Sequence, residues 1–326
     1  MKKILLIGCL LFLLSGTPYT ELNNIRIVDT IGIGKTEDGY YLYIRTVPTN
    51  NDDETVYRVE GKSLGSLFQE TTKLAYKTAY YKHLGTVIIE SSLLEANSQE
   101  IIYFLKEKFT QINYLLLTTP DLAAFFATDI DTYDLEQFIK QEQATNGTIH
   151  ILTFDQLYAN FLDPLEQAAI PQIRIQNQEI NVAGLQIIDE STVLNQQQAR
   201  SHYLLSDQLT KFQQTMTLDQ QAYNLQLYNL GTNIRYQNNT LTIKIKGVLD
   251  SDDFVANYKK RLEEAITKQL TDEIIALLAE QQQEKATTTP IINTIYRKIR
   301  NQKRSIEAFH KATLIIDINW QWNGEI

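Results

Sequence analysis

Ile25-Arg26-Ile27-Val28-Asp29-Thr30-Ile31-Gly32-Ile33-Gly34, then Lys35-Thr36-Glu37-Asp38-Gly39, then Tyr40-Tyr41-Leu42-Tyr43-Ile44-Arg45-Thr46-Val47-Pro48, is the stretch whose reading decides the fold. Ile, Val and Tyr recur on either side of an Asp-Gly turn signal. The pattern predicts two strands, 25–35 and 40–48, joined as a hairpin.

Downstream, Leu64, Leu67, Phe68, Thr71, Leu74, Ala75 and Ala79 keep helical spacing, which predicts a helix over Lys62–Tyr80. A short strand over His83–Glu90, a helix over Glu95–Phe109 and a strand over Tyr114–Thr118 complete a mixed α/β pattern. Asp121, next to Pro120, is placed to cap a short helix through Phe126. A polar stretch, 128–147, follows, and then a short helix over Phe154–Phe161. Asp163-Pro164 and Ile170-Pro171 mark an exit.

Alternating apolar residues over 172–190 predict strands of a new unit. A short helix over Val193–Ser206 comes next, followed by meander strands over Thr215–Leu230 and Asn233–Gly247, with Gln237-Asn238-Asn239 as a turn. Phe254, Tyr258, Leu262, Ile266, Leu270, Ile274 and Leu278 recur every four residues and predict one long helix, with Asp250, Asp252 and Asp253 at its start. A helix over Ile291–Ile299 and a last strand over Ala312–Trp322 follow. On that strand Leu314, Ile316, Ile318, Trp320 and Trp322 share a face. The expected class is α+β / mixed α/β and multi-domain. Residues 21–170 form a strand-helix-strand N-terminal domain, divisible near 128–150. Residues 171–326 form a C-terminal antiparallel sheet carrying the long helix.

Upstream, Lys2 and Lys3 precede an apolar run, Ile4–Leu14, of about eleven residues, and Ser15 and Gly16 follow it. A spanning helix needs about 20 residues, so residues 1–16 read as a signal peptide. Cleavage near Gly16 and retention as a weak anchor both stay open. Leu14-Ser15-Gly16 is also how a lipoprotein signal ends, but Thr17 stands where the lipid-bearing cysteine is required, and no lipid is expected there. Cys9, the one cysteine of the chain, closes a loose alternative in Leu6-Ile7-Gly8-Cys9. That leaves an apolar core shorter than the usual minimum of about seven residues. The mature chain is then without a thiol, a disulfide or a cysteine nucleophile.

The net charge of -9, without a dense basic face, argues against nucleic-acid binding. Gly32-Ile33-Gly34-Lys35-Thr36 resembles the end of a phosphate loop, but Asp29 occupies the place of its upstream glycine; the hairpin explains these glycines better. Asp129, Asp131 and Asp134 fall short of an EF-hand and read as a solvated loop. His83, His150, His202 and His310 are scattered, with no pair at ligand spacing. Neither a nucleophile elbow nor a carboxylate pair is evident. No catalytic residue, cofactor or metal is expected. The Trp320/Trp322 stripe reads as sheet core. Lys259, Lys260, Arg261, Lys268, Arg297, Lys298, Arg300, Lys303 and Arg304 make the last third the most basic region. It reads as a solvated helix face, or as a surface for anionic headgroups or an acidic partner.

Taken in order, several motifs resemble those of the Ger(x)C family, the C-subunit lipoproteins of spore nutrient-germinant receptors. They are Glu21-Leu22-Asn23, Ile27-Val28-Asp29-Thr30-Ile31-Gly32-Ile33-Gly34, Tyr80-Tyr81-Lys82-His83-Leu84-Gly85-Thr86-Val87-Ile88-Ile89, Ala183-Gly184-Leu185-Gln186-Ile187-Ile188 and Asn239-Thr240-Leu241-Thr242-Ile243-Lys244-Ile245-Lys246. Ile295-Tyr296-Arg297-Lys298 and the closing Trp322-Asn323-Gly324 continue the order. Departures are Gly34, where the family usually has Asp, and Thr17. The resemblance implies a non-enzymatic extracytoplasmic subunit of a membrane receptor in a Gram-positive cell. It would sit at the outer face of the cell membrane, serve spore germination, and have multi-pass subunits of the A and B type as partners. The alternative is an exported solute-binding protein with an inter-domain cleft.

Overall fold

A computed structural model describes residues 25–48, 55–71, 77–109, 113–163, 168–188, 192–251, 257–283, 295, 297 and 309–324. Residues 1–24 lie outside it, and with them Cys9, Gly16, Thr17 and the Glu21-Leu22-Asn23 element.

The opening stretch forms the hairpin its pattern predicts, β1 (Ile25–Lys35) and β2 (Tyr40–Thr46). β3 (Thr55–Gly61) adds antiparallel to β2 at the sheet edge. α1 (Leu64–Thr71) is shorter than the helix predicted over Lys62–Tyr80. Residues 72–76 lie outside the described set, and Thr78–Tyr80 is a strand, β4, parallel to the start of β1. Ala79 keeps helical spacing by coincidence; backbone pairing with Arg26 decides its conformation.

β5 (Thr86–Glu90), α2 (Ser91–Lys108) and β6 (Leu115–Thr119) follow in the expected order. α3 (Leu122–Phe126) is capped by Asp121, which accepts from the Ala124 N–H at 2.9 Å. The polar stretch after it is largely a helix, α4 (Thr132–Thr145). Asp131 caps it, accepting from the Asp134 N–H at 2.7 Å, so the acidic cluster read as a loop is a helix start. α5 (Phe154–Leu162) opens with a Thr153/Gln156 capping box.

β7 (Ala169–Gln176), β8 (Glu179–Ile187) and β9 (Val193–Leu194) were expected to open a new unit. They pair onto β6 instead and complete a nine-stranded sheet. Its order is β3-β2-β1-β5-β6-β7-β8-β9, with β4 beside β1, and β1, β5, β6 and β7 run parallel. Parallel strands need both faces covered. Leu67, Leu94, Ile101, Leu105 and Leu157 from α1, α2 and α5 pack with Ile31, Ile33, Val87 and Ile89 on one face. Leu122, Phe125, Leu135 and Ile139 from α3 and α4 cover Ile88 and Leu117 on the other. Arg45, 1% exposed, crosses beneath α3: its guanidinium donates to the Thr128 carbonyl at 2.7 Å and to that of Ile130, and lies 5.4 Å from the rings of both Phe125 and Phe126.

α6 (Gln196–Leu205), capped by Asn195, leads into a four-stranded sheet. The strand predicted over Thr215–Leu230 is two. β10 (Lys211–Leu218) turns at Asp219-Gln220, both at positive φ, into β11 (Gln221–Gln237). β12 (Thr240–Ser251) pairs antiparallel after Asn238-Asn239. α7 (Lys259–Gln283) then crosses over, and β13 (Thr313–Trp322) adds parallel to β12. The sheet is therefore antiparallel over three strands and parallel at the fourth. A return through a long helix permits that pairing, whereas a tight turn would not. Leu262, Ile266, Leu270, Ile274 and Leu278 of α7 are each no more than 1% exposed and pack on this sheet, as their spacing predicts. Of the helix predicted over Ile291–Ile299, only Ile295 and Arg297 are described, both helical.

Candidate functional site

In an open α/β sheet, ligand crevices form outside the carboxyl ends of the parallel strands. At that end β5 passes into α2 without a loop, and Glu90 is both the last strand residue and the residue preceding the first helical turn. Its side chain does not cap the helix. It turns to the neighbouring hairpin, where the Lys35 N–H donates to Oε2 at 3.1 Å and the Tyr41 hydroxyl donates to Oε1 at 2.9 Å. Burial, with the Glu90 carboxylate adding, pushes the Tyr41 hydroxyl well above its ordinary pKa. α2 kinks at Asn97, where φ is -138°, and the Asn97 side-chain Oδ1 accepts from Lys35 Nζ at 2.8 Å. One turn on, Glu100 accepts from the Tyr40 hydroxyl at 2.5 Å; burial first and then this carboxylate push the Tyr40 pKa up to about 12.

Beside this belt, Gln172 donates to Ser91 Oγ at 2.8 Å and to Gln186 Oε1 at 3.1 Å, with all three residues buried. The place where a ligand would ordinarily sit is thus filled by the chain's own polar side chains, which fasten the hairpin and the β7–β8 pair to the start of α2. Both oxygens of Glu90 are engaged by neutral donors. That arrangement fastens the hairpin to the start of α2. Sequence reading missed Glu90, because a single Glu ending a strand carries no spacing signature; only the fold brings Lys35, Tyr41 and Asn97 to it.

At the other end of the sheet, a cavity of about 250 Å³ opens between β6 and α4, lined by Tyr114, Leu115, Ile139 and Ile151, with the Glu136–Lys140 ion pair in its wall at 3.1 Å.

The residues singled out from sequence fall as follows. Gly32 and Gly34 lie within β1, not in a loop. A Cβ on Gly32 would strike the Phe126 ring, and one on Gly34 the Tyr41 ring. Among the described residues, no group of three or more His, Cys, Asp or Glu side chains could hold a metal. His83 is exposed after β4, beside the Tyr80 ring. His310 Nδ1 lies 3.2 Å from the Gln282 carbonyl. His150 and His202 both neighbour the Tyr203 ring, and burial lowers both pKa values, that of His202 to about 4. Trp322 is buried and Trp320 donates to Thr267 Oγ1 of α7 at 2.9 Å, so the tryptophan stripe is core.

The described cations of the last third are mostly engaged. Arg261 pairs with Asp219 at 2.7 Å, Lys268 with Asp272 at 2.7 Å and Lys260 with Glu264 at 4.0 Å, while Arg297 pairs with Asp163. Lys259 sits 5.3 Å over the Trp322 ring. Lys298, Arg300, Lys303 and Arg304 lie outside the described residues. No helix among the described residues is long and apolar enough to cross a membrane.

Residues 18–175 match the family described as spore germination protein N-terminal domain. This part of the chain, about half of it, is similar to the N-terminal domain of spore germination proteins. The matched span runs from before β1 into β7 and takes in the Glu90 belt up to Gln172. The fold is similar to that in the crystal structure of the GerBC protein, with a TM-score of 0.55 and 14% identity over 90% of this chain and 97% of that one. At that identity the likeness speaks for the fold of both units. No curated protein matches the chain.

Proposed function

We propose that this chain is a spore germination protein, a non-enzymatic, extracytoplasmic subunit of a germinant-type receptor. It acts by docking and assembly with multi-pass subunits of the A and B type at the outer face of the membrane. The observation that carries this reading is the N-terminal domain match over residues 18–175, supported by a fold shared with GerBC along nearly the whole of both chains. The Glu90 belt agrees with it, since the polar groups at the ligand end of the sheet are spent on holding elements together.

Affinity capture of the full chain from membranes decides it: two multi-pass proteins should co-purify, and deletion of the gene should lower their abundance in the membrane. A tight, saturable small-molecule affinity in the purified chain, with no membrane partner recovered, would favour an exported solute binder instead. The proposal includes attachment without a diacylglyceryl group, because Thr17 has no sulfur to carry one. Intact mass of membrane-extracted protein tests this. A mass excess of one diacylglycerol on a chain beginning at Cys9 overturns it.

A further inference from the structure

The proposed membrane location, on which this inference rests, leaves open which side of the molecule meets the lipid. The basic last third was the candidate from sequence, yet its described cations are largely engaged by Asp219, Asp272, Glu264, Asp163 and Trp322. The structure points instead to the amino end of the first sheet. Ile25 begins β1 at the end where β4, β5 and β6 also begin, and the apolar run Ile4–Leu14 ends only ten residues before it. Ten residues span at most ~35 Å fully extended, so a run retained as an anchor keeps that end near the membrane.

The side chains at this pole suit an interface between water and lipid. α2 runs antiparallel to β5 and β6, which brings Lys108 down to it. Lys108 Nζ lies 5.6 Å over the Phe68 ring, Lys82 Nζ 5.9 Å over Tyr80 and the Arg26 guanidinium 5.3 Å over Tyr57. Val47 and Val56, both 38% exposed, stand beside them, with the Val47 N–H on the Ile27 carbonyl at 2.9 Å. Tyrosine rings and long cationic side chains with apolar stems concentrate at headgroup level, where the ring or stem sits in the apolar margin and the charge stays in water. Glu70 and Glu107 keep the pole from being polybasic, so ring and stem burial carries the contact.

We infer that the chain rests on a phospholipid surface through this amino pole of the sheet, with Val47, Val56, Tyr57, Tyr80, Lys82 and Lys108 at headgroup level. The β1–β2 turn then points away, roughly 35 Å above, because eleven strand residues rise about 3.3 Å each.

The experiment uses the full chain with Cys9→Ser, so that one new cysteine is the sole thiol. Lys82→Cys and Asp38→Cys, each carrying an environment-sensitive fluorophore, are mixed with vesicles of phosphatidylglycerol and phosphatidylcholine containing a headgroup-level spin-label quencher. Both proteins should float with the vesicles. Quenching at position 82 should exceed that at position 38 at least threefold, roughly, as befits depth-dependent contact at an interface. Floating protein with equal quenching, or more at position 38, overturns the placement. Protein that does not float overturns this placement, whereas the reading as a receptor subunit stands or falls on recovery of the multi-pass partners.

Discussion

The hydroxyl oxygen of Tyr41 lies 2.5 Å from where a Cβ on Gly34 would be, and its Cζ is closer still at 2.2 Å. The two residues face each other in the β1–β2 register. The aromatic ring covers the glycine and delivers its hydroxyl to Glu90. Glycine in a strand interior is otherwise unfavourable by about 0.5–1 kcal/mol, so the close approach gives the residue its reason. Gly34→Ala should therefore lower stability by about 1–3 kcal/mol through overpacking. Combined with Tyr41→Ala it should cost less than the two single changes summed. Urea unfolding of the four proteins measures the coupling, and simple additivity would show that the ring moves aside freely.

The stripe on α7 gives the second expectation. Ile266 is wholly buried against the C-terminal sheet, whereas Lys268 is exposed and pairs with Asp272 on its own helix. Ile266→Ala should cost about 2–5 kcal/mol and lower the melting temperature by several degrees. Lys268→Ala should change it little, since exposed i,i+4 pairs contribute a few tenths of a kcal/mol. Equal small effects would place the stripe outside the core.

A buried ion pair ties α6 to α7. Arg200 donates to both oxygens of Glu273 at 2.7 and 2.8 Å, with each side chain 9% exposed, and also to Gln214 of β10 at 2.9 Å. Removing one partner strands the other charge, so Glu273→Ala should cost about 3–5 kcal/mol. Replacing both by Arg200→Met and Glu273→Leu should cost much less. Denaturation midpoints would show whether the pair matters for stability or only for specifying how the elements meet.

Burial lowers the folded-state pKa of His202 to about 4. The unfolded chain binds the proton first, near pH 6.5, while the folded chain excludes it. Stability is thus unaffected above about pH 7 and falls as pH drops from about 6.5 toward 4, by about 1.4 kcal/mol per unit. His150, also lowered by burial, acts in the same direction. Melting temperatures between pH 7.5 and 4.5 should decline, and His202→Phe should flatten the decline. An unchanged slope would mean that His202 reaches water.

Elements with a strong period were legible in the sequence. The 25–48 hairpin and the α7 stripe follow from alternation and from fourfold spacing. Three misreadings have separate physical causes. α4 hid behind Asp129, Asp131 and Asp134, acids that look like a loop until one is seen capping a helix. The Asp219-Gln220 turn carries no glycine, yet both residues take up positive φ. Thr55–Gly61 is an edge strand whose Val56, Arg58 and Glu60 stay exposed, so no buried stripe announces it. The Glu90 belt was illegible for another reason. Its members come from β1, β2, β5 and α2, and only the parallel pairing of β1 with β5 makes them neighbours. The direction of β13 was equally hidden, because an apolar alternation reads the same both ways.

The crossover that sets β13 parallel to β12 fixes an order of events. Leu241, Ile243 and Ile245 have their outer neighbours only when Leu314, Ile316 and Ile318 arrive, some 70 residues later in synthesis. Until then the second sheet has a raw edge and an incomplete core, a long-range closure of the kind that folds slowly. The second half of the chain stays unlocked until β13 is made, and that late strand works as a latch on the sheet.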